Sequence, residues 1–89
     1  MYNTFMLVGR LVEEPIIEED TCKIIIGVKR LDGKTIDKIS CIIKGGMVDN
    51  VKEHCHKDTL VGVRGMILEG IELVVDKISL LSSKGENNE

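Results

Sequence analysis

Aromatic side chains are nearly absent: the 89 residues hold one tyrosine, one phenylalanine and no tryptophan. Rings supply much of the buried area of many small domains, so a core here has to be built from isoleucine, valine and leucine. Association with further copies of the chain would help to stabilise such a core. Long apolar runs are missing too. Ile24–Ile26 is typical of the longest, far short of the roughly 18 residues that cross a bilayer. The opening MYNTFMLVGRL has no basic leader and no small-residue cleavage site, so neither a membrane partner nor secretion is expected. Cys22, Cys41 and Cys55 are an odd number without C-x-x-C spacing, which argues against a disulfide framework and for a reducing, cytoplasmic compartment. The length bounds the chain to one domain, expected over residues 1–82, with a polar tail over 83–89.

The net charge of −3 looks wrong for a nucleic-acid binder until it is divided along the chain. Residues 1–20 set Arg10 against Glu13, Glu14, Glu18, Glu19 and Asp20, a net −4. Residues 21–85 carry eleven lysines and arginines against eight carboxylates, a net +3. The excess acid is therefore concentrated in one loop and the tail, and the mildly basic middle of the chain permits phosphate binding.

What is present reads mostly as strands. Thr4–Val12 is apolar and β-branched, and an acidic loop containing Pro15 follows it. In Cys22–Leu31 the period of two sends Ile24, Ile26 and Val28 inward and Lys23, Ile25 and Lys29 outward. Asp32-Gly33 then signals a hairpin with a type I′ turn. In Thr35–Lys44, Ile39, Cys41 and Ile43 share one face, and Lys38, Ser40, Ile42 and Lys44 the other. Met47–His56 is the one helix, with Val48, Val51, Lys52 and Cys55 as a narrow inward stripe. Thr59–Leu68 and Glu72–Leu81 are two further strands joined at Glu69-Gly70. Gly27, Gly62 and Gly65 suit the sharp bends of a small barrel. The order β-β-β-α-β-β is that of an all-β fold with one helix: a five-stranded Greek-key barrel of OB type with the helix between strands three and four.

Longer stretches carry a family resemblance. Asn3-Thr4-Phe5-Met6-Leu7-Val8-Gly9-Arg10-Leu11 followed by Glu14-Pro15 resembles the opening N-x-x-x-L-V-G-R-L-x-x-(D/E)-P of bacterial single-stranded-DNA-binding proteins. Ile26-Gly27-Val28-Lys29-Arg30 stands where that family has L-A-V-N-R, and Ile39-Ser40-Cys41-Ile42-Ile43-Lys44-Gly45 resembles its I-N-C-V-V-W-G. Asn50-Val51 and Leu60-Val61-Gly62-Val63-Arg64-Gly65 are similar to its E-N-V and L-V-x-V-x-G, in the same order along the chain. The resemblance implies single-stranded DNA as ligand, dimers or tetramers built by first-strand pairing and sheet stacking, and no catalysis. The departures are as informative. Lys44 takes the place of a tryptophan on which bases stack, and Lys38 that of another outward aromatic. The long hairpin between the last two strands shrinks to Glu69-Gly70, and the acidic tail ending in Pro-Phe that docks replication proteins is not found. The chain thus resembles a reduced relative, somewhat like the primosomal replication proteins.

Binding of a single strand without base readout combines a basic groove with stacking platforms, each stacked base contributing about 1–3 kcal/mol. With lysines in place of rings, binding is expected to be weaker and more electrostatic. The candidate nucleic-acid contacts are Arg10, Lys23, Lys29, Arg30, Lys34, Lys38, Lys44 and Arg64, with DNA the expected ligand and RNA left open. For any single one of these, an ordinary solvated face is an equally good account. Tyr2, Thr4, Met6, Ile25 and Ile42 are the candidate contacts between copies, since outward apolar groups mark association. No metal or cofactor is expected: His54, Cys55 and His56 are adjacent and cannot converge as spaced ligands do. Gly33-Lys34-Thr35 mimics the end of a phosphate-binding loop but lacks the first glycine and the helix. The competing reading is an oligomeric interaction module of the same fold with little or no DNA binding.

Overall fold

The computed structural model describes residues 2–82; the tail expected over 83–89 lies outside the described residues. The elements are β1 (Phe5–Leu11), β2 (Ile16–Ile17), β3 (Thr21–Lys29), β4 (Ile36–Lys44), α1 (Met47–His54), β5 (Leu60–Leu68) and β6 (Glu72–Ser82). β1 pairs antiparallel with β5 on one edge, from Phe5↔Gly65 to Arg10↔Leu60, and with β3 on the other, at Arg10↔Gly27 and Leu11↔Ile26. β5 continues to β6 and β3 to β4, both antiparallel, and a parallel bridge at Ile42↔Val74 joins β4 to β6. Five strands therefore close into a barrel. Within the acidic loop the two-residue β2 pairs with β3 at Ile16↔Lys23 and Ile17↔Cys22, which moves the helix from after the third strand to after the fourth in this count.

Alternation along β3 and β4 fills the barrel as the period of two requires. Cys22, Ile24, Ile26, Cys41 and Ile43 are buried, and they meet Leu11, Val61, Val63 and Val75 in one aliphatic core. Phe5, the one phenylalanine, is buried among them. α1 closes one end with Val48 and Val51, and Cys55 is buried just past its last residue. The expected stripe is corrected at Lys52, which is exposed. The helix stops at His54 after two turns, and the two valines with Cys55 already fill the seat, leaving no apolar wall for a lysine stem.

The type I′ turn expected at the first hairpin is found instead at the second. Asp32-Gly33 is not a type I′ turn, because only Gly33 has positive φ (75°) there. The loop closes through Gly33 N–H to the Arg30 carbonyl, and Asp32 Oδ1 accepts from the N–H groups of Lys34 (2.8 Å) and Thr35 (2.9 Å). An aspartate that bonds the backbone two residues on stabilises a turn without left-handed geometry at its own position. At the other hairpin both Glu69 (φ 54°) and Gly70 (φ 80°) are left-handed, the condition for a type I′ turn.

Close approach, rather than bending alone, explains two glycines. A Cβ on Gly9 would strike the Gly27 carbonyl oxygen where β1 crosses β3, and one on Gly65 would strike the Val74 carbonyl oxygen beside a register shift. Gly62, expected to be similarly constrained, has ordinary space around it, its nearest neighbour lying 3.6 Å away.

Candidate nucleic-acid interface

Register places the outward side chains of β3 and β4 in rows. Thr21 faces Lys44, Lys23 faces Ile42, Ile25 faces Ser40, Gly27 faces Lys38, and Lys29 faces Ile36. Four lysines thus surround a strip of isoleucines on one surface. Lys29, Lys38 and Lys44 are exposed and Lys23 is half-buried. Among the described residues none of these, nor Lys34 in the hairpin loop, makes an ion pair. Their charge is available to an anion.

The three arginines behave differently. Arg30 grips Asp37 in a two-pronged pair, Nε to Oδ2 and Nη2 to Oδ1, both 2.9 Å. Each group holds the other charged: Asp37 is pulled below the usual carboxylate range, mainly by that hydrogen bond. Arg64 Nε donates to Asp76 Oδ1 at 3.3 Å. It stands on β5 opposite Met6, on the other side of the barrel from Lys38 and Lys44. Arg10 Nη1 donates to the Asp58 carbonyl at 2.9 Å and ties β1 to the loop before β5. So, among the described residues, six of the eight candidate contacts lack a carboxylate partner, Arg30 and Arg64 being the paired two, and Arg64 does not share their surface.

The expected self-association residues also divide. Met6 is 74% exposed on the outer face of β1, next to Val8 at 59%, whereas Ile25 and Ile42 are half-buried among the lysines. Tyr2 and Thr4 are exposed ahead of β1. Asn3, between them and outside the candidate site residues, bonds both backbone groups of Ile67 through its side chain, at 2.7 and 2.9 Å, and so prolongs the β1–β5 ladder. Only its place in the Asn-initial motif hinted at this.

The thiols and imidazoles form no site. Cys55 is buried, while His54 lies toward Glu53 and His56 toward Glu14. Among the described residues no three His, Cys, Asp or Glu side chains converge on a metal position, and no helix is long and apolar enough to cross a membrane.

Comparison with solved structures decides the fold. The mitochondrial single-stranded-DNA-binding protein Rim1 of S. cerevisiae superposes with a TM-score of 0.82 at 23% identity, covering 93% of this chain and 99% of that one. The dimeric N-terminal domain of PriB from Thermoanaerobacter tencongensis gives 0.75 at 19%, over 91% and 98% of the two chains. The SSB domain of a Synechococcus protein gives 0.76 at 15%, over 88% and 94%. The barrel is an OB fold. No family model matches the chain, and no curated protein matches it by sequence. In OB folds ligands meet the outer face of the second and third barrel strands together with two loops beside it. Here those strands are β3 and β4, the lysine surface. The loops are the acidic segment containing β2 and the short turn at Glu69-Gly70.

Proposed function

We propose that the chain binds single-stranded DNA without sequence readout, through phosphate contacts from the outer face of β3 and β4, in replication, recombination or repair. The observation that carries this reading is the lysine surface itself. Among the described residues Lys23, Lys29, Lys38 and Lys44 have no carboxylate partner, although the chain as a whole is acidic and its arginines are engaged. Charges left unpaired around an apolar strip suit a polyanion with apolar faces. The likeness to two DNA-binding proteins of the same fold supports it, and three buried, unpaired thiols support a cytoplasmic setting. No catalytic role is assigned to the chain.

A second reading draws on Met6 and Val8: an exposed apolar pair on β1 favours association with copies of this chain as dimers or tetramers. A module that acts only by such contacts would not need the lysines. Fluorescence anisotropy of a labelled oligo-dT at ~20 and ~200 mM salt separates the two, in the range where phosphate contacts dominate. The expected result is binding at low salt that falls steeply with salt and is abolished in Lys38→Glu/Lys44→Glu. A folded protein that leaves the oligonucleotide free at low salt rejects DNA binding and leaves the association module.

A further inference from the structure

Where β1 crosses β3 the surface dips into an open groove of about 370 Å³. Gly27 forms part of its floor. Val8 and Arg10 from β1, Lys29 from β3, Ile36 from β4 and Asp58 from the loop before β5 form its sides. This volume is at the lower end of the roughly 300–1,000 Å³ of small-ligand sites, a size for one monomer unit rather than an extended ligand. The groove opens beside the lysine surface, since Gly27 is paired with Lys38 on one side and with Arg10 on the other. With strands about 4.8 Å apart, Lys38 and Arg10 flank Gly27 with backbones about 10 Å from each other.

The chemistry of the walls is that of a nucleotide. Lys29 has no ion pair among the described residues. Arg10 gives one N–H to the Asp58 carbonyl, which fixes the guanidinium and leaves its remaining donors unspent. Val8 and Ile36, 59% and 53% exposed, give apolar flanks on either side of these cations. We propose that this groove is a nucleotide subsite for single-stranded DNA, in which Arg10 and Lys29 hold a backbone phosphate and Val8 and Ile36 flank the adjoining sugar and base. It rests on the DNA-binding reading and adds a path: the strand leaves the β3–β4 face across Gly27 and passes onto β1, transverse to the barrel strands. The path also excludes Arg64, on the far side.

Asp58 makes the inference sharp, because it borders the same groove and its negative charge would oppose a phosphate bound there. Its φ of 77° is one that asparagine adopts readily, so Asp58→Asn removes the charge and preserves the loop. The test is anisotropy of labelled oligo-dT at ~20 mM salt with salt titration for each variant. Asp58→Asn is expected to tighten binding about two- to fivefold, the range of a single exposed charge. Lys29→Gln and Arg10→Gln are each expected to weaken it and to lower the salt slope by about 0.7, the share of one phosphate on a single strand. Arg10→Lys should restore the slope. Lys52→Gln on α1 controls for net charge, and Lys29→Gln carries the test even if Arg10→Gln destabilises the loop. If wild type binds and Lys38→Glu/Lys44→Glu abolishes binding while Lys29→Gln, Arg10→Gln and Asp58→Asn all behave like Lys52→Gln, the subsite is wrong and the surface reading survives. If wild type does not bind at low salt, both fall.

Discussion

Lysines and arginines in this chain have been given separate work. Each arginine finds a hydrogen-bond acceptor within the fold, as its planar fork allows, while the lysines of β3 and β4 form no ion pair among the described residues. That division was not legible in the sequence: Arg64 and Asp76 lie on different strands, and only register brings them together. The outward direction of the lysines was legible, because strict alternation with buried Ile24, Cys41 and Ile43 leaves them no other face. Two further residue-level consequences can be checked. Burial pushes the thiols of Cys41 and Cys55 up to about 11, and that of Cys22 upward as well. These groups stay protonated and inert at pH 8, so iodoacetamide should label none of them in the folded protein and all three in strong urea. Because the folded thiols ionise later than the unfolded ones, stability should fall as pH rises from about 9 toward 11. Asp32 works in the opposite direction. Hydrogen bonds from Thr35 and Lys34 hold its carboxyl below the usual range, so its contribution is present above the ordinary carboxylate pKa and is lost as pH falls through the lower folded value. The difference in thermal midpoint between wild type and Asp32→Ala should therefore be largest near neutrality and narrow as the pH falls below the ordinary carboxylate range.

At the level of elements, strands were easier to read than the connections between them. Period-two patterning fixed which face of β3 and β4 is buried, but Asp-Gly carried two possible turns, and the aspartate side chain chose the one in which it caps the loop. Glu69 was not readable as left-handed, since glutamate has no local bond that favours that conformation; the short span between β5 and β6 forces it. Replacing Glu69 by asparagine, which tolerates positive φ, should raise stability by about 0.5–1 kcal/mol in urea unfolding. Glycines give a contrasting pair. At Gly9 an added methyl meets the backbone of β3, which cannot step aside without breaking the barrel's closure. Gly9→Ala should cost about 1–3 kcal/mol, as overpacking does. Gly62→Ala, with ordinary space and no left-handed φ, should be neutral or stabilising by up to about 1 kcal/mol. Equal effects at the two positions would contradict the account of closure at β1 and β3.

For the molecule as a whole, charge and apolar surface are sorted onto different sides. The acidic loop borders β3 through Ile16↔Lys23 and Ile17↔Cys22, the lysines occupy the outer face of β3 and β4, and Met6 and Val8 stand out on β1 beside β5. A barrel with one buried ring has little core to spare, so covering the second apolar surface is the obvious way to gain stability. If copies associate through that surface, the lysine face is left open, and the two properties separate experimentally. Met6→Glu buries no charge in the single chain, because the side chain is already 74% exposed, yet it sets a carboxylate in the middle of the contact. The expected outcome is a lower mass by sedimentation at ~50 µM and a thermal midpoint that no longer rises with protein concentration, as mass action requires when association is lost. Low-salt binding of a short oligo-dT per chain should persist in the same variant, since none of the phosphate-facing lysines is touched. Loss of DNA binding together with the drop in mass would mean instead that the binding track is completed only between copies, and that the strand's path continues past Val8 to Met6.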